Sequence, residues 1–432
     1  MDSTSLKVGL AALELARSDR FEALHERFAA PLRALVTADS LRVAWTAALE
    51  RSGPVTAVGS AILDEAPGVT TVKVPLQCER GALTLLVAVT RSGDLAGIQL
   101  APADAIAPAS PWEPPAYADR SRFDEQELSL GADPLGVGAT LSLPHVRGRV
   151  PGVVLLAGSG PSDRDGTIGP NRPLRDLAWG LAARDVAVLR FDKVTAAHPD
   201  EVRANRAFTL TDEYVPQARA ALEFLRGHPA VDPQRLVVAG HSLGGTVAPR
   251  VAAAALPVAG IAILAGGAAP LHWTIVRQFR YLASLDPAAA AGAGPVIETL
   301  TRQARLVDSP DLSPSTPTAD LPLGTPASYW LDLRDDDAAA ALAALGIPVL
   351  VLQGGRDYQA TVDDDLARWQ AALAGRPDVT VRVHPSDDHC FFPGSGRSSA
   401  QETMRGGQHV DPAVIEELAS WVAGLPPASS RG

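Results

Sequence analysis

Leu236-Val237-Val238-Ala239-Gly240-His241-Ser242-Leu243-Gly244-Gly245 is the stretch on which the reading of this chain turns. Its first four residues form a short apolar run with the composition of a buried strand. From Thr246 to Ala255 the chain is rich in alanine and valine and reads as a helix. A G-x-S-x-G between a strand and a helix is a nucleophile elbow, a reversal so sharp that the serine sits in strained backbone with its hydroxyl in the open. The glycines flanking Ser242 are expected because side chains there would meet neighbouring backbone. The helix that starts at the turn aims its first N–H groups at the reacting oxygen.

Composition sets the frame around that motif. The 432 residues have the length of two to three domains. With 46% hydrophobic and 20% charged residues, the chain is expected to bury a sizeable core. A net charge of −11 argues against sequence-independent nucleic-acid binding and against docking on anionic membranes. The two cysteines, Cys78 and Cys390, form neither a disulfide framework nor a zinc spacing. Met1 to Lys7 carries no basic start followed by an apolar segment, and no apolar run approaches the ~20 residues that cross a bilayer, so a cytoplasmic location is expected.

Outward from the elbow, the pattern alternates between strands and helices. Val150–Leu156, Val186–Phe191, Leu236–Gly240, Ile261–Ala265, Pro348–Leu352 and Val379–Val383 are short apolar runs, separated by helical stretches such as Leu174–Ala183 and Asp212–Arg226. That order predicts a mostly parallel sheet covered by helices on both faces, opened by an antiparallel pair at Phe123–Leu130 and Gly138–Leu143. The interval from Gly266 to Gly346 has no clear strand and is read as a helical cap inserted at about residues 270–345. Upstream, residues 1–102 read as a small α+β domain. Its helical patterns fall at Leu10–Phe28 and Ser40–Glu50, and its strand-like runs at Val55–Leu63, Val69–Leu76, Ala82–Thr90 and Leu95–Leu100. A Pro/Ala-rich linker is expected at 103–119, and the second domain at 120–430.

A serine hydroxyl attacks a carbonyl only when a base takes its proton. In a strand–elbow–helix topology the partners follow in the order Ser, acid, His. The run Val349-Leu350-Val351-Leu352-Gln353-Gly354-Gly355-Arg356-Asp357 ends on an acid after a strand and a glycine turn, which makes Asp357 the candidate acid. Asp363, Asp364 and Asp365 open the next helix, where acids fit the helix dipole without a catalytic role. Among the nine histidines, His389 in the loop after the last strand is the candidate base. His384, at the strand end, is expected to be structural, and His241 is expected to pack under the turn. The oxyanion hole is assigned to the backbone N–H of Leu243 and, from the loop Ala157-Gly158-Ser159-Gly160-Pro161, to that of Ser159, with Gly160 as the fallback. Trp273, Tyr329 and Trp330 either line a substrate pocket or form plain cap core, and both readings stay open.

The order of elbow, acid and base resembles that of the α/β-hydrolase superfamily. A closer resemblance lies in Ala157-Gly158-Ser159-Gly160-Pro161-Ser162-Asp163-Arg164-Asp165-Gly166, Ile168-Gly169-Pro170-Asn171, Leu189-Arg190-Phe191-Asp192-Lys193, Asp357-Tyr358-Gln359-Ala360-Thr361 and His409-Val410-Asp411-Pro412. These are similar to the signature of a bacterial two-domain serine esterase family whose members carry an N-terminal DUF3887-type, NTF2-like domain. The resemblance implies an α/β-hydrolase fold and carboxylesterase activity on esters or thioesters through Ser242, Asp357 and His389. The chain departs from the family in Cys390, where relatives often have an apolar residue, and in lacking the export signal many of them carry. For Arg164, pinning its own loop is favoured over meeting a substrate carboxylate.

The expected reaction is therefore hydrolysis of a small-molecule carboxylic ester through an acyl-enzyme, with no metal and no organic cofactor. Two alternatives remain: acyl transfer to an alcohol or amine by the same residues, including macrocyclisation, and a non-catalytic ligand-binding protein that retains the fold. For the N-terminal domain, a ligand pocket, a homodimerisation surface and an active-site wall are all open readings.

Overall fold

The computed structural model describes residues 3–33, 36–66, 68–103, 112–131, 134–255, 257–285 and 287–428. Of the linker expected at 103–119, residues 104–111 lie outside the described residues. The chain divides into two compact units, one made of residues 1–109 and 275–327, the other of residues 110–274 and 328–432. Among the described residues, no helix is long and apolar enough to cross a membrane.

The first unit is built on five antiparallel strands: β1 (Val55–Val58), β2 (Ile62–Ala66), β3 (Val69–Cys78), β4 (Gly81–Thr90) and β5 (Leu95–Pro102). β3 and β4 alternate between buried and more exposed positions, so one face of the sheet carries Val72, Val74, Leu76, Leu85, Val87 and Val89 into the core. The helix Ser3–Arg17 covers that face with Leu13 and Ala16. A turn at Arg91-Ser92-Gly93-Asp94 joins β4 to β5, with the Gly93 N–H donating to the Thr90 carbonyl at 3.0 Å. This unit is β-rich rather than an even α+β mixture. The second amphipathic helix, Ala38–Ser52, buries none of its side chains fully, and Val43 is 46% exposed. Its apolar face instead lines a cavity of about 490 Å³ with Phe21, Leu24, Ile98, Phe279 and Val296.

The second unit holds an eight-stranded sheet: β6 (Phe123–Leu130), β7 (Val137–Pro144), β8 (Val150–Leu156), β9 (Ala187–Phe191), β10 (Val231–His241), β11 (Gly260–Leu264), β12 (Val349–Gly354) and β13 (Val379–His384). Their spatial order is β13-β12-β11-β10-β8-β9-β7-β6. From β9 to β13 all neighbours are parallel, and β7 and β6 close the far edge antiparallel. The central strands are buried throughout because both faces are covered. Val154, Val238, Ile261 and Val351 face the helices Leu210–Gly227 and Leu243–Ala254. Val153, Val237, Ala262 and Leu350 face the helices Pro173–Ala182 and Pro412–Gly424. The period-2 alternation of a strand thus supplies two cores from one sheet.

The topology reverses at β8. The chain leaves β8 for β9 on one side and returns to β10 on the other. In open α/β sheets such a switch leaves a crevice at the carboxyl ends of the two strands that part there. The loops after β8 and β10 therefore open onto that crevice.

Candidate active site

Ser242 follows β10 directly and adopts φ 55° and ψ −124°, a conformation that costs a non-glycine residue energy. The surroundings hold it there. Its own N–H donates to the Leu264 carbonyl at 2.9 Å, and its carbonyl accepts from the N–H groups of Gly245 and Thr246. Gly240 and Gly244 are glycines for steric reasons. A Cβ on Gly240 would run into the Gly244 carbonyl, and one on Gly244 would lie 2.6 Å from the carbonyl oxygens of Leu156 and Ala157. The elbow is thus packed against the end of β8, to which β10 is paired in register at Gly240 and Leu156.

Asp357 and His389 come from neighbouring strands, β12 and β13, paired at Gly354 and His384. Gly354 has no side chain because the carbonyls of Asp387 and Asp388 press against it. This close approach puts Asp357 Oδ2 at 2.8 Å from His389 Nδ1, with both side chains buried. Asp357 is itself fixed: Oδ1 accepts from the N–H groups of Gln359 and Ala360 at 2.7 and 3.1 Å, and Oδ2 accepts from Gln353 Nε2 at 3.0 Å. The carboxylate accepts the Nδ1 proton, which leaves Nε2 of a neutral His389 as the acceptor. Burial works against the His389 imidazolium, but the Asp357 charge and hydrogen bond outweigh it, and the net shift is upward from 6.5.

His241 joins the elbow to the base loop. Burial and the neighbouring His389 push its pKa down to about 4, so it is neutral. Its Nε2 donates to the His389 carbonyl at 2.8 Å, and the two rings lie 4.9 Å apart. Ser242 and His389 are therefore held on adjoining loops. Among the described residues, the Ser242 hydroxyl makes no hydrogen bond to His389. Such bonds in catalytic sites commonly tighten only when substrate binds.

Leu243 opens the helix Leu243–Ala254, so its N–H is one of the four that a helix leaves unpaired. Ser159 and Gly160 are exposed in the loop after β8. That loop is held from beneath by Lys193, quoted in the signature above without a role, and by Tyr214 and Glu213, which the sequence reading did not single out. Lys193 Nζ donates to the Gly158 carbonyl and to Tyr214 Oη, each at 2.8 Å, and pairs with Glu213 Oε1 at 2.8 Å. Tyr214 Oη also lies 3.0 Å from the Ala157 carbonyl, and Tyr329 Oη donates to Glu213 Oε2 at 2.6 Å. The Lys193 and Glu213 side chains are 1% and 4% exposed. The only signals in the sequence were a lysine just past a strand and a Glu-Tyr pair early in a helix.

The remaining candidates fall as follows. Arg164 makes a two-pronged pair with Asp192 at 3.0 and 2.8 Å and also bonds Glu127, so its guanidinium is spent within the protein. Trp330 is 1% exposed and Tyr329 is spent on Glu213, which fits packing rather than an open wall, whereas Trp273 is half-buried. Asp365 accepts from the N–H groups of Ala268, Ala269 and Thr361. His409 is bonded to Asp176 at 3.1 Å. Burial, reinforced by Asp388, pushes the Cys390 thiol well up, which suits a packed residue.

The Alpha/beta hydrolase family model matches residues 153–402. Esterase EstD of Thermotoga maritima is 33% identical over 347 residues, which span 80% of this chain and 78% of that protein. Among solved structures, an esterase of Pyrococcus furiosus matches with a TM-score of 0.43 at 14% identity, covering 73% of this chain and 94% of its own. The 2,6-dihydroxy-pseudo-oxynicotine hydrolase matches with a TM-score of 0.42 at 18% identity, covering 71% and 70%.

Proposed function

Because this chain belongs to the alpha/beta hydrolase family, we propose that it is a carboxylesterase working through Ser242, His389 and Asp357. The observation that carries this reading is the strained Ser242 elbow set beside a buried His389–Asp357 pair, with His241 tying the two loops together. The kinship with an esterase supports the same class of reaction.

In this mechanism Ser242 Oγ attacks the ester carbonyl and passes its proton to His389 Nε2. Asp357 holds the imidazole in the right tautomer and steadies the imidazolium. The developing oxyanion takes the N–H of Leu243 and the N–H of Ser159, with Gly160 next in line. Protonated His389 then gives its proton to the leaving alkoxide. Water activated by neutral His389 releases the acid from the acyl-serine and restores the hydroxyl. Lys193, Tyr214 and Glu213 are positioning residues: they hold the carbonyls of Ala157 and Gly158 away from substrate, which leaves the following N–H groups free to face it.

For the first unit we propose an NTF2-like domain of the DUF3887 type. Its helix Ser3–Arg17 packed on an antiparallel sheet and its apolar cavity suit a ligand pocket better than a solid packing module. The negative net charge and two free, buried cysteines fit a reducing, cytoplasmic setting.

The test is a panel of p-nitrophenyl esters of increasing acyl length, run on wild type and on Ser242→Ala, with and without a competing alcohol. Hydrolysis by wild type and loss of at least a thousandfold in the variant are expected. Transfer of the acyl group to the alcohol in preference to water would redirect the reading to a transferase. Equal rates for both proteins would end it.

A further inference from the structure

Away from Ser242, the second unit holds another convergence of ionisable groups. His384 ends β13, Asp387 lies three residues on, and Asp411 caps the helix Pro412–Gly424 by accepting from the Ala413 N–H at 2.7 Å. One ligand-capable atom from each of the three lies within 4.8 Å of the other two. His384 is 8% exposed and Asp387 is fully buried. Asp387 Oδ1 accepts from Ser386 Oγ at 3.1 Å, but Oδ2 has no hydrogen-bond partner and faces His384 Nδ1 at 4.0 Å. Among the described residues, no lysine or arginine pairs with Asp387 or Asp411. Two carboxylates thus share a pocket with a single imidazole and no balancing cation from the protein.

We propose that His384, Asp387 and Asp411 bind one first-row divalent cation, with Zn²⁺ as the representative ion. Oxygen and imidazole ligands on a tetrahedral ion of this size stand about 3.4 Å apart, so the 4.0 Å between Nδ1 and Oδ2 closes by about half an ångström. One imidazole with two carboxylates suits such an ion better than Ca²⁺ or Mg²⁺, which take oxygen donors. The other side of the ring fits as well. His384 Nε2 faces Glu417 Oε2 at 3.3 Å, and neither atom is bonded elsewhere. A histidine that ligates a metal through one nitrogen usually donates the other N–H to a carboxylate. Asp411 is partly exposed, which leaves a side open for water as a further ligand.

The ion would fasten three pieces of chain: the end of β13, the loop that carries His389, and the start of the last helix. That loop already meets the helix start through the Asp411 N–H, which donates to the Phe391 carbonyl at 2.9 Å. Calling it the base loop rests on the esterase reading, whereas the ion site itself does not.

The experiment is calorimetric titration of chelator-stripped, full-length protein with ZnCl₂ at pH 7.5, paired with thermal melts. One equivalent is expected to bind and to raise the melting temperature by on the order of 5 °C at saturation. Asp411→Asn and His384→Gln should each abolish the titration. Glu417→Gln, which keeps all three ligands, should weaken it by about tenfold or more and remains informative if the ligand variants fail to fold. Ser242→Ala should bind as wild type does, so loss of esterase activity and loss of the ion site are read separately. No binding by wild type, or binding that survives in Asp411→Asn, His384→Gln and Glu417→Gln, would overturn the proposal. So would an Asp387→Asn protein that melts higher than wild type while wild type shows no response to zinc, since two carboxyls sharing a proton would then explain the cluster.

Discussion

Lys193→Met tests whether the buried cluster beneath the loop after β8 serves chemistry or only packing. The substitution keeps the length of the side chain and removes the charge. It strips Glu213 of its 2.8 Å ion pair in a site where that carboxylate is 4% exposed, leaving it the hydroxyls of Tyr329 and Thr195. Leaving one partner of a buried pair uncompensated costs about 3–5 kcal/mol. At roughly 2–4 °C per kcal/mol for a unit of this size, the melting temperature should fall by about 6–20 °C. Lys193→Met combined with Glu213→Gln removes the stranded charge and should recover most of that loss. Activity should not follow stability. In the double variant the Gly158 carbonyl keeps only Tyr214 Oη, at 2.8 Å, and the loop that presents Ser159 N–H loosens. Loss of an entire oxyanion donor costs ~3 kcal/mol, so partial misplacement should cost about half, near a tenfold fall in kcat. The assay is steady-state hydrolysis of a p-nitrophenyl ester alongside thermal melts of wild type, single and double variants. A double variant that regains both wild-type melting temperature and wild-type kcat would refute the positioning argument.

Three further outcomes follow from the geometry. Since Asp357 raises the His389 pKa above 6.5 despite burial, the acid limb of kcat/KM should have its midpoint above that value, and a midpoint below 6 would contradict the pairing. The same shift adds stability that is present below pH ~6.5 and fades as pH climbs through the folded value. Asp357→Asn should lower kcat by on the order of 10⁴-fold with little change in KM, because the imidazole is left in the wrong tautomer; equal losses from Asp365→Asn would show that the acid was misassigned. For Asp387, burial and Asp411 raise the folded pKa to about 7, so the folded state keeps a proton that the unfolded chain has lost. Stability should therefore fall as pH rises from about 4 through 7, and urea midpoints of metal-free Asp387→Asn should lack that part of the slope.

Much of the hydrolase unit was legible because its signals are local. Runs of five to seven mostly apolar residues between turn residues report a strand buried on both faces, and β8, β9, β10, β11 and β12 lie where such runs fall. Ser242, Asp357 and His389 could be nominated as candidates because each follows a strand at the place in chain order that the elbow topology calls for. What escaped the sequence is long-range. Residues 275–327, read as a cap, cluster with residues 1–109, a partnership that no periodicity reports. The helix Ala38–Ser52 has core-like spacing yet lines a cavity, since spacing gives a face but not what fills the space opposite it. Lys193 and Glu213 are charged, a class of residue usually found at the surface, and only their pairing lets them sit buried. His384, Asp387 and Asp411 gave no recognisable ligand spacing because their nearness is made by the fold.

The central claim is that one hydroxyl in this chain is made nucleophilic by its neighbours. Intact-protein mass spectrometry after treatment with a fluorophosphonate measures this directly. The account predicts a single adduct that maps to Ser242, forms faster as pH rises through the His389 pKa, and is lost in His389→Ala. No adduct on folded protein, or an adduct at another residue, would contradict it.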